Sequence, residues 1–196
     1  MRLVLATANP HKAAEIAAVM PSGFELIPRP AHVAEVVENG LTLEDNARLK
    51  ARALMRATGL AALADDTGLE INILGGAPGV YSARWAGEGC SYADNVAKAL
   101  DELAGFEYDD RVARFVTVAL VAFPDGRELM AVGEVMGHIA ERPSGFNGFG
   151  YDPVFLPDKG KGRTFAEMDD EEKNAISHRG RAMRAMGKLL QKEAGS

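Results

Sequence analysis

The sequence has 196 residues, of which 47% are hydrophobic, and its formal net charge at pH 7 is −6. This length suffices for one substantial core, and the acidic balance argues against binding to duplex nucleic acid, which depends on neutralising phosphates. No apolar run reaches the roughly 18 residues that a membrane-spanning helix needs, so no membrane partner is expected. Cys90 is the sole cysteine, which excludes an internal disulfide and is compatible with a cytoplasmic protein.

Strands and helices alternate in the first half of the chain. The predicted elements are a strand over Arg2–Ala6, a helix over Pro10–Met20, a helix from Leu43 to Arg56, a strand ending before Asp65, a strand over Leu69–Ile73 and a helix from Ser91 to near Gly105. Asn9 and Thr42 are suitable N-caps for the first two helices, and Gly59 ends the second. This alternation is typical of an α/β sheet.

The second half predicts a long hairpin followed by a loop and a helix. Arg111–Phe123 and Glu128–Gly137 read as paired strands around the turn signal Pro124-Asp125-Gly126, so the sheet is expected to be mixed. A loop rich in glycine, proline and aromatic residues covers Pro143–Pro157. A helix over about Asp170–Lys192 closes the chain, and residues 1–196 are interpreted as one α/β domain.

The segment Leu5-Ala6-Thr7-Ala8-Asn9-Pro10-His11-Lys12 joins the first strand to the first helix. A strand–loop–helix start of this kind aims backbone N–H groups and the positive end of the helix dipole at an anion. Lys12 adds a full positive charge within the first turn. The alternative interpretation is an ordinary capped helix without a ligand.

Two adjacent carboxylates, Asp65 and Asp66, follow the apolar run Leu60–Ala64. Like charges on neighbouring residues repel, and Mg²⁺ is an economical counter-charge because it uses one or two carboxylates together with substrate phosphates. Adjacent residues of a strand point to opposite faces, so one aspartate is expected to face a site while the other supports it. The alternative is a polar turn between two strands.

Seven segments, in this order, resemble the inosine/xanthosine triphosphate pyrophosphatase family. They are Thr7–Lys12, Glu38–Thr42, Asn46-Ala47 with Lys50-Ala51, Ala64–Leu69, Gly76–Arg84, Gly148–Pro153 and Glu172–Arg179. Each alone is a weak signal, but the ordered set covers nearly the whole chain. The family often has glycine where Ala8 stands and serine where Thr67 stands.

The resemblance implies a fold, an activity and partners. The expected fold is an elongated mixed β-sheet flanked by helices, with two lobes and an active-site cleft between them. The expected activity is hydrolysis of deaminated purine nucleoside triphosphates (ITP, dITP, XTP and dXTP) to the monophosphate and pyrophosphate. The expected cofactor is Mg²⁺, and the expected assembly is a cytoplasmic homodimer that binds a small nucleotide and no nucleic acid.

The resemblance also assigns site residues. Asp66 is expected to be the catalytic base and, with Glu38, a Mg²⁺ ligand, whereas Asp65 is expected to support it. The residues expected to bind substrate are Thr7, Ala8, Asn9, Pro10, His11, Lys12, Lys50, Thr67, Phe149, Gly150, Tyr151, Asp152, Lys173, His178 and Arg179. In this set the lysines face phosphate, Phe149 or Tyr151 lines the purine pocket, and His178 with Arg179 donates hydrogen bonds to base oxygens.

Two other functions stay open from the sequence. One is a pyrophosphatase for another modified nucleotide, and the other is a non-catalytic nucleotide-binding regulator. Arg179 has an alternative role as well, which is to pair with acidic side chains such as Glu172 and hold its helix.

Overall fold

The computed structural model describes residues 1–194, and over that range the predicted mixed α/β fold is confirmed. The strands are β1 (Arg2–Leu5), β2 (Glu25–Ile27), β3 (Ala62–Ile71), β4 (Pro78–Gly79), β5 (Val112–Ala122), β6 (Glu128–Ile139) and β7 (Phe155–Pro157). The helices are α1 (Pro10–Val19), α2 (Leu43–Thr58), α3 (Tyr92–Glu102), α4 (Asp170–Ile176) and α5 (His178–Ala194). None of these helices is both long enough and apolar enough to cross a bilayer.

The strands form one sheet in the order β2-β1-β3-β5-β6-β7, with β4 paired to β3. Strand β1 runs parallel to β2 and to β3, whereas β3–β4 and β6–β7 are antiparallel. The predicted hairpin is β5–β6, closed by a turn in which the Phe123 N–H donates to the Arg127 carbonyl at 3.0 Å. So short a connection permits only the antiparallel pairing.

Strand β3 departs from the sequence prediction. Two strands separated by the Asp65–Gly68 segment were expected, but one strand runs unbroken through it from Ala62 to Ile71. Both aspartates are buried at about 5% exposure or less. The strand continues because cations from other elements neutralise the two carboxylates, so the segment has no need of water.

The helix that closes the chain also differs from the sequence prediction. A single helix was predicted over about Asp170–Lys192, but the chain forms α4 and α5 with the break at Ser177. Ser177 has an extended backbone, φ −67° and ψ 159°, and its N–H donates to the Lys173 carbonyl at 2.8 Å. Serine is favoured at such helix boundaries, which explains why the break falls there.

The chain divides into two compact units. Unit 1 comprises Met1–Asp66, Thr117–Gly133 and His178–Ser196, and unit 2 comprises Thr67–Val116 and Glu134–Ser177. Of unit 1, residues 195 and 196 lie outside the described range. The expected cleft and the single domain over residues 1–196 stay predictions.

Each unit has its own hydrophobic core. In unit 1, α1 and α5 pack together, and Ile16, Met183 and Met186 are almost fully buried with Leu3 and Leu63 of the sheet. The core of unit 2 centres on aromatic side chains, namely Phe115, Tyr151, Phe155 and Phe165. Tyr151, expected as one of two candidates for the purine pocket, is 4% exposed, and its hydroxyl donates to the Ser82 carbonyl at 2.9 Å.

Candidate active site

The loop between β1 and α1 forms the predicted helix cap. The Asn9 side-chain oxygen accepts hydrogen bonds from the N–H groups of His11 and Lys12 at 2.9 and 3.3 Å. Pro10 takes the first helical position, where its missing N–H is of no consequence. Because Asn9 already engages two of the first-turn donors, the Lys12 ammonium is the strongest attraction that this helix start offers to an anion.

The remaining residues of this loop differ in exposure. Thr7 is half-buried and accepts a hydrogen bond from the Asn9 N–H at 3.1 Å, whereas Ala8, Pro10 and His11 are exposed. Thr7, Ala8 and His11 are therefore placed around the start of α1 as predicted, and their contact with a substrate stays a prediction.

Asp65 lies at the centre of a buried ion-pair network. Its Oδ2 accepts from the Arg179 Nε at 3.0 Å and lies 3.5 Å from the Lys12 Nζ. The Arg179 guanidinium also pairs with Glu15 through Nη1. Asp65 therefore holds two cations, one from α1 and one from the first turn of α5, and its support role in the reaction stays a prediction.

Charge and burial act in opposite directions on this network. Burial alone raises the pKa of Asp65, but the charges of Lys12 and Arg179 outweigh it and hold that pKa well below its usual range. Burial lowers the pKa of Lys12, and the charge of Asp65 only partly restores it. The carboxylate is thus firmly ionised, whereas the ammonium is poised to gain from a further negative charge nearby.

Asp66 has a different set of partners. Its Oδ1 lies 2.7 Å from the Lys50 Nζ, and its Oδ2 accepts a long hydrogen bond of 3.4 Å from the Asn46 amide. Asn46 and Lys50 are one helical turn apart on α2, so their i, i+4 spacing places both side chains on the face that contacts Asp66. Because β3 continues through both aspartates, the two carboxylates have distinct surroundings, as strand alternation predicts.

The Glu38 carboxylate contacts the same cation, the Lys50 ammonium. Its Oε1 is 3.2 Å from the Lys50 Nζ, and its side chain is about one third exposed. The segment is anchored two residues later, where the Gly40 N–H donates to the Asn46 Oδ1 at 2.8 Å. A Cβ at position 40 would lie 2.6 Å from the Asp45 Cβ, so the close approach of this segment to α2 requires glycine.

The environment of Asp66 favours proton acceptance. Burial raises the pKa of the Asp66 carboxyl above its ordinary value, and the charges of Lys50 and Lys12 offset this only in part. Burial also acts to lower the pKa of Lys50, but the carboxylates around it, led by Asp66, raise that pKa overall. The neighbouring aspartates therefore have pKa values that are pushed apart, a pattern that separates an acid–base group from a fixed charge.

The carboxylates of this site can be compared with the ligands that the predicted Mg²⁺ needs. Within residues 1–194 no group of three or more histidine, cysteine, aspartate or glutamate side chains is arranged to hold a metal. Glu38 and Asp66 supply two carboxylates that already converge on one cationic centre, the Lys50 Nζ. One or two carboxylates completed by phosphate oxygens and water is the usual Mg²⁺ arrangement, so the residues fit a metal that arrives with a phosphate ligand.

Unit 2 contains the other predicted site residues. The Lys173 Nζ pairs with the Asp152 Oδ2 at 2.6 Å, and the same oxygen accepts from the Phe149 N–H at 2.8 Å. Phe149 is half-buried in the loop, and Gly150 follows it with φ +63°. Thr67 is half-buried in β3 directly after Asp66.

His178 and Arg179 begin α5 in unit 1, and both are almost fully buried. Strand β6 passes so close that a Cβ at Gly133 would lie 2.2 Å from the His178 carbonyl oxygen. The structure gives Arg179 acidic partners, Asp65 and Glu15, in place of the suggested Glu172, whose carboxylate pairs with Arg163. Reading of the base by either residue stays a prediction.

Sequence reasoning missed Glu15 in the network around Asp65. Glu15 lies three residues after Lys12 on α1, a spacing that places both side chains on neighbouring positions of one helix face. That spacing is the signal that was available, but it does not identify Arg179 as the partner. Nothing in the sequence indicated that the Asp152 carboxylate pairs with Lys173 and accepts a hydrogen bond from the loop backbone.

Adjacent buried aspartates, two lysines and a capped helix start on an α/β sheet are the features of an α/β enzyme that acts on a phosphate-containing substrate. Comparison with known proteins identifies the family within this class of enzyme. The Ham1 family profile matches residues 3–189, and the chain belongs to that family.

Individual relatives agree with the assignment. The chain is 44% identical to the dITP/XTP pyrophosphatase of Streptomyces avermitilis, over 99% of both chains. It is 48% identical to the protein of that name from Symbiobacterium thermophilum, over 93% of this chain and 91% of the relative. The solved structure of a HAM1 protein from Coxiella burnetii superposes with a TM-score of 0.88 at 40% identity, covering 98% of this chain and 99% of the other. The resemblance found in the sequence is thereby confirmed.

Proposed function

We propose that the protein hydrolyses deaminated purine nucleoside triphosphates (ITP, dITP, XTP and dXTP) to the monophosphate and pyrophosphate. The observation that carries the proposal is the pair of adjacent buried aspartates with divergent environments, Asp65 fixed by Lys12 and Arg179 and Asp66 poised beside Lys50. The names of the relatives support the substrate class.

In the proposed reaction, Asp66 accepts the proton of the water that attacks the α-phosphorus. A positioned base contributes typically about 10²–10⁴-fold, and the raised pKa of Asp66 makes it a better base. Lys50 orients the carboxylate through its 2.7 Å contact. Mg²⁺, held by Glu38 and Asp66, would neutralise charge on the phosphate oxygens and lower the pKa of bound water.

The triphosphate is assigned to Lys12, Lys50, Lys173 and the loop Thr7–Asn9, with Thr67 as a further donor. The base is assigned to Phe149, which offers a stacking surface, and to His178, whose ring offers a donor to a 6-oxo group. Adenine has an amino group at that position, and a buried donor that faces it would be left unpaired. We also propose that the protein is cytoplasmic, as its nucleotide substrates are.

A pyrophosphate-release panel tests the function against its alternatives. Turnover should be fastest with ITP, dITP and XTP and slow with GTP, ATP and dUTP, and it should need Mg²⁺. Preferred release from dUTP or another modified nucleotide would instead favour a different pyrophosphatase. Tight ITP binding without pyrophosphate release in Mg²⁺ would favour the non-catalytic regulator.

Lys12→Ala tests the phosphate role of Lys12. Loss of a charged hydrogen bond to phosphate should lower kcat/KM by about 10-fold or more, and by the same factor with ITP and XTP, since the phosphates of the two are identical. The exposed Lys159→Ala serves as the control and should leave kcat/KM unchanged. A loss confined to one base would contradict this role.

A homodimer is part of the proposal. Light scattering at micromolar concentration should give a mass twice the 20.9 kDa of the chain. Met183 and Met186 of α5 lie in the core of unit 1, so these side chains do not supply the dimer surface. A particle with the mass of a single chain would refute the dimer without affecting the proposed chemistry.

A further inference from the structure

Two carboxylates of unit 1 converge on one ammonium. The Lys50 Nζ lies 2.7 Å from the Asp66 Oδ1 and 3.2 Å from the Glu38 Oε1. The side chains of Lys50 and Asp66 are 10% and 8% exposed, so water and salt screen their contact only weakly. The Lys50 ammonium therefore contacts both of the carboxylates that are proposed to hold Mg²⁺.

The same two carboxylates are also held in place by Asn46. The Asn46 amide nitrogen donates to the Asp66 Oδ2 at 3.4 Å, and the amide oxygen accepts from the Gly40 N–H at 2.8 Å, two residues after Glu38. Asn46 is fully buried on α2, so one fixed side chain links the segment of Glu38 to the strand of Asp66. Removal of the Lys50 ammonium is therefore expected to leave the two carboxylates near each other.

The charges in this part of unit 1 are nearly balanced. Its ion pairs join four carboxylates with three cations, which are Glu15, Glu38, Asp65, Asp66, Lys12, Lys50 and Arg179. A divalent cation is attracted by an excess of negative charge, and the three cations remove most of that excess. Within residues 1–194 no group of three or more acidic, histidine or cysteine side chains is arranged to hold a metal, so Mg²⁺ alone meets a weak site.

We propose that Lys50 guards the metal site: its ammonium competes with Mg²⁺ for the carboxylates of Glu38 and Asp66 and gives way only when a phosphate ligand arrives. This inference rests on the proposed function, because it concerns the metal and the phosphates of that reaction. The protein without nucleotide is then expected to bind Mg²⁺ weakly, and metal and phosphate enter the site together.

Lysine is suited to such an exchange. Its ammonium carries several donors on a flexible stem, so it can turn from one anion to another without movement of its helix. The contact with Glu38, at 3.2 Å, is the longer of the two and is the one that Lys50 gives up first. The 2.7 Å contact keeps the Asp66 carboxylate oriented during the exchange.

Loss of the ammonium is expected to have opposite effects on two probes. Without Lys50, a metal no longer has to displace another cation from the carboxylates, so metal alone should bind more tightly. A metal-loaded polyphosphate should bind more weakly, because it loses a charged hydrogen bond to the ammonium. A lysine that only binds phosphate would leave the affinity for metal alone unchanged, and one that only supports the fold would increase neither affinity.

The experiment measures Mn²⁺ binding to the protein without nucleotide by electron paramagnetic resonance. Mn²⁺ stands in for Mg²⁺ because both prefer oxygen ligands in octahedral geometry. Lys50→Met should bind Mn²⁺ about 10-fold more tightly than the unaltered protein, the lower end of the range for a charge-assisted contact. By calorimetry, the same variant should bind the preformed complex of Mn²⁺ with inorganic tripolyphosphate about 10-fold more weakly.

Lys12→Met is the matched control for charge. It removes one positive charge from the same part of unit 1, but the Lys12 Nζ pairs with the Asp65 Oδ2, 3.5 Å away, rather than with a proposed metal ligand. It should change the affinity for Mn²⁺ alone by less than about 2-fold, because competition for a ligand acts only at contact distance. Lys50→Arg keeps the charge at position 50 and should keep the weak Mn²⁺ binding.

A double variant identifies the ligands. Lys50→Met combined with Glu38→Gln should return the Mn²⁺ affinity to that of the unaltered protein or below, since one of two carboxylates is lost. Thermal unfolding gives an independent readout. Lys50→Met leaves the buried Asp66 short of a cation and should lower the melting temperature, and Mn²⁺ should restore most of this loss by binding the folded state. The unaltered protein should gain little from the same Mn²⁺ concentration.

Three results would overturn the inference. They are an unchanged Mn²⁺ affinity in Lys50→Met, an equal gain in Lys12→Met, and tight Mn²⁺ binding that persists in the double variant. Failure of the proposed function is distinguishable, because it would appear as absence of pyrophosphate release from ITP by the unaltered protein. The Mn²⁺ affinities are measured without nucleotide and so do not depend on turnover.

Discussion

Replacing Asp66 by asparagine is expected to lower kcat for ITP by at least about 10²-fold, whereas Glu38, which stays as a partner of Lys50, limits the loss of melting temperature. Asparagine keeps the shape of the side chain but cannot accept the proton of the attacking water. It also removes a charge beside Lys50, whose Nζ lies 2.7 Å from the Asp66 Oδ1 and 3.2 Å from the Glu38 Oε1. Steady-state kinetics of pyrophosphate release and thermal unfolding measure the two quantities, and a kcat within a few-fold of the unaltered enzyme would exclude Asp66 as the base.

The assignment of Glu38 and Asp66 to Mg²⁺ also predicts the effect of removing the metal. EDTA should abolish turnover and added Mg²⁺ should restore it. Glu38→Gln should raise the Mg²⁺ concentration needed for half-maximal activity, because one of two carboxylate ligands is lost. Glu35→Gln is the matched control, since Glu35 is an exposed glutamate three residues earlier and should leave the Mg²⁺ dependence unchanged. Full activity in EDTA, or equal effects of the two glutamate variants, would contradict the assignment of Glu38.

Arg179→Ala is expected to produce the largest loss of stability. Arg179 is 1% exposed and pairs with Asp65 and Glu15, so the change leaves the buried Asp65 with Lys12 as its remaining cation and removes a partner of Glu15. Removing one partner of a buried pair costs about 3–5 kcal/mol of unfolding free energy. For a chain of this size the melting temperature should fall by roughly 10 °C. Lys188→Ala, at an exposed position of the same helix, should change it by little.

The same variant tests how Arg179 contributes to activity. Because its partners are Asp65 and Glu15, and Asp65 in turn holds Lys12, we expect kcat/KM for ITP, XTP, GTP and ATP to fall by one common factor. A selectively larger loss with ITP and XTP would contradict this positioning role and favour the base-reading role that the sequence suggested. Thermal unfolding and kinetics on one preparation separate the contributions to stability and to activity.

The sequence by itself determined the features that depend on neighbours along the chain. The N-caps Asn9 and Thr42 and the terminating Gly59 are local, because each side chain or backbone conformation satisfies groups within about one turn. The β5–β6 hairpin and the shared helix face of Asn46 and Lys50 follow from turn chemistry and helical spacing in the same way. The ordered motifs were specific enough to indicate the family.

The tertiary structure alone decided where the charges are neutralised. Asp65 and Arg179 are 114 residues apart in sequence, and no periodicity links them, so neither the unbroken path of β3 nor the partners of Arg179 were predictable. The same holds for Asp152, whose contact with Lys173 spans 21 residues. A carboxylate is tolerated inside a strand or a loop only when a distant cation is brought to it, and that pairing is a property of the packed fold rather than of any segment.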